Sequence, residues 1–462
     1  MVIPKEFFNP KSVAIVGASK DKTKPGHLLL YSLLKAKFKG KIYPVNPKAD
    51  KILGLKVYKN LEVIPGKVSI VIVATPAYTI PEILESCGRK NIRCCIITTS
   101  GFSESGTEEG KKLETEILNI ARRNNVRLIG PNCMGIYNPK VGMAFFPWQK
   151  PEPGPVGFIS QSGSIASMFC TISMEKGVRF SKVISSGNEL DLNCADFLEY
   201  FGEDPETKII LAYIEGVKDG RRFLDVAKKI SKEKPLIIWK AGLTSSGSKA
   251  ASSHTGSLTG LKHVWDAVVK QTGIISVDGI EELLDLTLMF MCYPSAKTEK
   301  VAIVGGPGGI VVSAADACDF SNLTLAKLED ETMSKLKKIL PPAGTSVLNP
   351  VDLGFGSVEW KIYNQTLKFL DEDPNVDVIM AIAGAPTFLG KSFFKFDEFA
   401  KGLAKTSKTL KKPLIAVMPE ISQTQKPLKT LIKAGIPTYP TPIRAAKTLA
   451  KTLNYQKFKE KF

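Results

Sequence analysis

The chain has 462 residues, 44% apolar and 23% charged, with 63 Lys and Arg against 45 Asp and Glu for a formal charge of +18. This length exceeds what one core serves and suits three domains of roughly 150 residues each, and the composition excludes a disordered or fibrous chain. No apolar run reaches the roughly 18 residues of a membrane span, the opening Met1–Pro10 lacks the apolar centre of a signal peptide, and the eight cysteines form no C-x-x-C pair, so a cytoplasmic protein with reduced thiols and no metal site is expected. The basic excess is compatible with an acidic partner or a phosphate-rich ligand. The scattered lysines, without any nucleic-acid-binding signature, argue against nucleic acid.

Short apolar, β-rich runs alternate with longer helical patterns along the whole chain, which predicts an α/β protein of parallel sheets covered by helices. Strands are expected from Ser12, Lys41, Val68, Arg93 and Val126 in a first series, and from Pro155, Lys182, Thr207, Lys234 and Gly273 in a second. A third series starts at Lys300, Asn375, Lys412 and Gly435, after a polar linker at Pro294–Lys300. The expected domains are residues 1–129, 130–297 and 298–462. The second and third series read as copies, since Glu203-Asp204-Pro205 and Glu233-Lys234-Pro235 recur as Glu372-Asp373-Pro374 and Lys411-Lys412-Pro413 at nearly equal separation.

Candidate site residues sit where these strands end. The first strand turns through Gly17, Ala18 and Ser19 into a helix opening at Lys24-Pro25-Gly26, a cradle of N–H groups for a diphosphate. The three-glycine dinucleotide spacing is missing, and Asn46-Pro47-Lys48 stands where a free ribose hydroxyl would call for an acid. A nucleotide with an extra ribose phosphate fits, and coenzyme A is one. Gly130-Pro-Asn-Cys133 places a thiol in a strand-end turn, as lining for a thiol-bearing ligand more than as a nucleophile. Ser160, Gln161, Ser162, Gly163 and Ser164 precede a helix and offer a cradle for one phosphate; Gly187 and Asn188 form a second polar loop on the same edge.

One histidine of the three, His254, lies in a Gly- and Ser-rich stretch with few large apolar neighbours, which suits a mobile loop carrying a reactive imidazole. The copy comparison strengthens it: the second copy has Glu215 at a strand end and His254 after the next strand, while the third has Ala383-Gly384 and no histidine. A carboxylate and an imidazole that come and go together are not needed for the fold. The remaining histidines, His27 and His263, are expected to be dispensable for group transfer.

This set, in this order, resembles the α subunit of the ADP-forming (NDP-forming) acetyl-CoA or acyl-CoA synthetases, and more distantly that of succinyl-CoA synthetase. The resemblance implies an N-terminal Rossmann-like CoA-binding domain followed by two flavodoxin-like CoA-ligase domains, all doubly wound. It further implies conversion of acyl-CoA, ADP and phosphate to carboxylate, CoA and ATP through an acyl phosphate and a phosphohistidine at His254, oriented by Glu215. No ATP-grasp domain is visible, so ADP or ATP and Mg²⁺ are expected on a separate ATP-grasp β subunit, in an α2β2 heterotetramer. Two alternatives are a non-catalytic CoA-binding regulatory protein of the same fold and a CoA-dependent acyltransferase working through a Glu adduct.

Overall fold

The computed structural model describes residues 3–249, 261–294, 299–383 and 395–461. His254 and Gly384 lie outside them. The chain divides into two compact units: Met1–Met174 with Val178–Asp278, and Gly279–Phe462 with Glu175–Gly177.

The first unit contains two sheets. Strands β1 (Ser12–Val16), β2 (Lys41–Val45), β5 (Ile70–Val73), β6 (Cys94–Ile97) and β7 (Arg127–Ile129) form a parallel sheet ordered β2-β1-β5-β6-β7, with the small hairpin β3 (Lys51–Ile52) and β4 (Leu55–Lys56) beside it. Helices α1 (Pro25–Lys35), α2 (Ile80–Arg89) and α3 (Glu108–Arg123) connect these strands. The central strands β1, β5 and β6 are buried along their whole length, which is why they read as unbroken apolar runs without period-2 alternation. Helix α3 shows the local logic of these helices: the Thr107 hydroxyl accepts from the Gly110 N–H, Glu108 and Glu109 occupy the first turn, and Arg122 and Arg123 the last, complementing the helix dipole.

In the second sheet β8 (Gly135–Tyr137) is an antiparallel edge to β9 (Val156–Ser160), β10 (Phe180–Ser185), β11 (Ile209–Ile214), β12 (Leu236–Lys240) and β13 (Ile275–Val277), in the order β13-β12-β11-β9-β10-β8. Its helices are α4 (Gly163–Glu175), α5 (Cys194–Glu203), α6 (Gly220–Ser231) and α7 (Lys262–Thr272).

The second unit is built on β14 (Lys300–Gly305), β15 (Thr324–Leu325), β17 (Val378–Ile382), β18 (Leu414–Val417) and β19 (Thr438–Tyr439), ordered β15-β14-β17-β18-β19, with β16 (Val351–Asp352) also paired to β14. The helix Ile280–Cys292 belongs to this unit. Its Asp285 carboxylate takes two hydrogen bonds of 2.7 Å from Arg444, and its Met289 packs with Val301, Val378 and Leu449.

The second and third sheets have one strand order, and they share an atomic detail that supports duplication. Lys234 donates to the carbonyls of Phe201 and Asp204, both at 2.8 Å; Lys412 donates to those of Leu370 and Asp373. In each copy an ammonium before a strand stitches down the end of a helix, and burial lowers both pKa values. No helix among the described residues is long and apolar enough to cross a membrane.

A buried ion pair anchors the first unit at the opposite edge from the candidate site. Lys182 on β10, its side chain 2% exposed, donates to Asp204 at 2.8 Å and Glu206 at 2.9 Å. Removing one partner leaves the other charge buried, so Lys182→Ala should cost about 3 kcal/mol. Urea denaturation of the full chain measures it; a loss below about 1 kcal/mol would show that water replaces the ammonium without penalty.

Candidate functional site

The turn after β1 is held by backbone proximity. Gly17 has φ +92° and donates its N–H to the Val45 carbonyl at 3.0 Å; a Cβ at Gly26 would stand 2.0 Å from the Gly17 oxygen, so only glycine lets α1 begin this close to the turn. Asn46 donates its amide to the Ala18 carbonyl at 2.8 Å and accepts from the Lys48 N–H at 2.8 Å. The Ser19 carbonyl lies 2.9 Å from His27 Nδ1 and can only accept, so Nδ1 carries the proton and His27 is a strut of the turn. Lys24 and Lys48 are exposed beside it. N–H groups at a helix N-terminus with two ammonium groups nearby are the chemistry that suits an anion.

The second element is the join between the two sheets of this unit. Asn188 donates its N–H to Pro131 O and Leu190 donates to Gly130 O, both at 3.0 Å, while Asn132 donates to Thr99 O at 2.9 Å. Gly187, at φ +60°, lies so close that a Cβ would be 2.2 Å from Pro131 O and 2.4 Å from Asn132 O. Side chains reinforce the join. Asn188 donates to Glu104 at 2.5 Å and Glu114 at 3.1 Å, and Arg127 meets Asp191 at 2.8 and 3.2 Å. Leu190 packs on the core of the first sheet.

Cys133 faces inward from the same turn. Its thiol is 4% exposed, donates to Ile97 O at 3.3 Å, and is pushed up to about 12 by burial. A ligand at this turn would therefore meet the Cys133 backbone and not its sulfur.

The third element is the strand-end cluster of the second sheet. Ser160 closes β9 and its hydroxyl donates to the Ser162 carbonyl at 2.6 Å; the Ser162 and Ser164 hydroxyls are 2.9 Å apart at the opening of α4. At Gly163 a Cβ would come within 2.8 Å of the Met134 side chain, so the helix start is seated on the neighbouring turn. Gln161 spends its amide on the chain: Oε1 accepts from the N–H groups of Glu215 at 2.6 Å and Gly216 at 3.1 Å, and Nε2 donates to Gly216 O at 2.8 Å. It fixes the backbone that carries Glu215.

Glu215 is 7% exposed, and its Oε1 accepts from the Tyr213 hydroxyl at 3.2 Å. Its other oxygen is buried without a hydrogen-bond partner among the described residues. Lys240 does not fill that vacancy; its ammonium donates to the carbonyls of Glu215 at 2.7 Å and Ala241 at 2.6 Å, and burial lowers its pKa. Ala241 donates to Ile214 O at 2.9 Å, so the chain that leads to His254 leaves from the strand beside Glu215. His263 is exposed on α7.

The structure thus brings Gln161, Ser162, Gly163, Gly187, Asn188 and Glu215 to one edge and turns the Gln161 and Asn188 amides onto protein partners. Glu189 was missed. It follows Gly187-Asn188, is 2% exposed, accepts from Ser186 Oγ at 2.8 Å, and leaves Oε2 buried and without a hydrogen-bond partner among the described residues. Burial pushes its carboxyl up to about 7, against the lowering pull of Ser186, Gln161, the Cys194 N–H and Lys218.

Comparison with known proteins places this geometry. Residues 11–139 match the CoA binding domain, 153–290 the succinyl-CoA ligase like flavodoxin domain, and 301–456 the ligase-CoA domain. The chain is 41% identical over 438 residues to the acetate–CoA ligase [ADP-forming] II subunit alpha of Pyrococcus furiosus, covering 94% of each chain. It is 39% identical to acetate–CoA ligase [ADP-forming] I of Archaeoglobus fulgidus, over 98% of this chain and 64% of that longer one. The solved structure of dinucleotide-forming acetyl-coenzyme A synthetase 1 from Ca. Korarchaeum cryptofilum, in complex with phosphate and ADP, superposes with a TM-score of 0.90 at 30% identity, over 99% of this chain and 98% of that one.

The Gln161 clamp is open to test by itself. Gln161→Leu leaves two N–H groups and one carbonyl without partners and should destabilise the chain by about 2 kcal/mol. Denaturation midpoints at constant slope report it; an unchanged midpoint would mean that the clamp contributes nothing to holding the edge together.

Proposed function

Since the chain belongs to the ADP-forming acetate–CoA ligases, as a member of their α-subunit type, we propose that it is the acyl- and phosphate-handling half of an enzyme converting acyl-CoA, ADP and phosphate reversibly to carboxylate, CoA and ATP. The observation that carries the reading is Glu215: a buried carboxylate with one oxygen left free, clamped by Gln161 next to a helix N-terminus, at the edge from which the His254 segment departs. A regulatory CoA-binding scaffold would have no use for a carboxylate held this way. Each of the three ranges 1–129, 130–297 and 298–462 holds one of the three large sheets and is proposed as a domain of this cytoplasmic enzyme, with helix Ile280–Cys292, at the end of the second range, packing instead with the third.

In the proposed cycle the CoA diphosphate lies on Gly17, Ala18 and Ser19 at the start of α1, with Lys24 beside it and Gly26 permitting the close approach. Lys48, positioned by Asn46, meets the ribose phosphate. The pantetheine arm runs past the Gly130–Cys133 turn toward Gly187 and Asn188. Phosphate, cradled by Ser162, Gly163 and Ser164 with Gln161 fixing the turn, attacks the thioester carbonyl carbon; the C–S bond breaks, CoA leaves as the thiol, and an acyl phosphate forms. The His254 imidazole then attacks phosphorus and the P–O bond to the acyl group breaks, releasing the carboxylate. Glu215 stabilises the charge that develops on the ring, as a buried carboxylate does for an imidazolium. ADP and Mg²⁺ take the phosphoryl group on an ATP-grasp partner, in a proposed α2β2 assembly. Positioning and charge neutralisation supply most of such a transfer.

His254→Ala should abolish ATP formation by chain plus partner while CoA affinity stays within a few-fold, since the imidazole is a covalent relay. Appreciable ATP synthesis by this variant would end the proposal. Glu215→Gln should keep the fold and lower turnover by about a hundredfold or more, because an amide cannot stabilise the charged ring; a wild-type rate would reduce Glu215 to a structural carboxylate. Isolated chain should bind CoA calorimetrically and give no heat with Mg²⁺-ADP. Micromolar ADP binding by this chain alone would contradict the division of labour.

A further inference from the structure

Resting on that reading, we propose that Glu189 is a second carboxyl of the site: a positioning residue that acts through Ser186 on the Ser160–Ser164 turn, and whose ionisation weakens the hold of that turn on a phosphate anion. The connections are direct. Ser186, which donates to Glu189 at 2.8 Å, donates its N–H to the Ser160 carbonyl at 2.9 Å. Gln161, the residue that clamps Glu215 and Gly216, lies near enough to Glu189 to favour its anion. One carboxyl is therefore tied through Ser186 to the turn that opens α4.

Glu189 is also held at a cost that calls for an explanation. It adopts the left-handed region at φ +54°, is 2% exposed, and keeps Oε2 without a partner. A buried, unpaired oxygen is retained where it meets something the chain lacks, or where it must change state. The groups that act on it are Lys218, Ser186, Gln161 and the Cys194 N–H, which favour the anion, and the Cys194 thiol lies close enough to feel its charge. Burial outweighs them and leaves the carboxyl about half ionised near pH 7. The sign follows. Below pH 7 Glu189 is mostly uncharged and the cradle's N–H groups face an anion unopposed; above it, a buried negative charge tied through Ser186 to the cradle repels phosphate.

The test is calorimetric binding of inorganic phosphate to the full chain between pH 6 and pH 8, in wild type and Glu189→Gln, which keeps shape and cannot ionise. The second ionisation of phosphate itself is common to both proteins and cancels in the comparison. The fall in affinity from pH 6 to pH 8 should be larger in wild type than in Glu189→Gln by about fivefold or more. Ser186→Ala, which removes a group that favours the anion, should move the wild-type transition to higher pH and gives a second measurement if Glu189→Gln does not fold. Superimposable pH profiles in wild type and Glu189→Gln, an unmoved transition in Ser186→Ala, or no phosphate binding to wild type at either pH would overturn the inference. Phosphate binding of the predicted kind, without ATP formation by chain plus partner, would support this inference and defeat the reading it rests on.

Discussion

The approach of Gly187 to the carbonyls of Pro131 and Asn132 is the constraint on which the first unit depends. Two parallel sheets have their ligand-accepting ends at strand C-termini, and these ends serve one reaction only if they meet. They meet here because the backbone of residues 187–190 lies hydrogen-bonded on residues 130–132, at a distance no other side chain permits. Arg127 with Asp191, Asn188 with Glu104 and Glu114, and Leu190 in the first sheet's core all secure that one register. The proposed route of a CoA arm from the Gly17 turn to the Ser160–Ser164 cradle runs along this join.

Around the join, polar capacity is used almost completely for structure. The Gln161 amide, the Asn188 amide and the Lys240 ammonium all end on the chain itself, and the Cys133 thiol is spent on a carbonyl. What remains free is narrow: N–H groups and hydroxyls at two helix starts, and one oxygen each on Glu189 and Glu215. Preorganisation of this kind lets a few groups meet a reacting anion without rearrangement at the moment of transfer. In a chain of formal charge +18, a pair of buried carboxyls at the proposed phosphate-accepting edge is a local exception, and the proposed relay uses one of them, Glu215.

Much of this was legible before any coordinates. Long strands such as β1, β5 and β11 declare themselves because burial on both faces writes a continuous apolar run, and the duplicated Lys-Pro signals at Lys234 and Lys412 fall on equivalent stitches in both copies. The two- and three-residue strands β3, β4, β8, β15 and β16 carry no period and were not read. Nor was the side on which the helix Ile280–Cys292 packs, which rests on Asp285 finding Arg444 far along the chain. At the candidate site, strand-end position picks out residues that the structure brings to one edge, but what each one touches is set by tertiary neighbours. Gln161 and Asn188 have phosphate-binding chemistry and hold protein instead; Cys133 turned inward; Glu189, an ordinary surface carboxylate by composition, is buried because the Gly187 loop is pressed against the next turn. His254 itself lies outside the described residues, and its proposed role follows from the sequence pattern and from the edge from which its segment leaves.

Peptide mapping of the phosphorylated protein therefore tests the central claim most directly. The chain with the proposed ATP-grasp partner, incubated with labelled ATP and Mg²⁺ and digested under basic conditions, should yield one labelled peptide, carrying phosphate on His254, acid-labile and stable to base. Label on a carboxylate or a serine, or no labelled peptide under conditions that support turnover, would contradict the account.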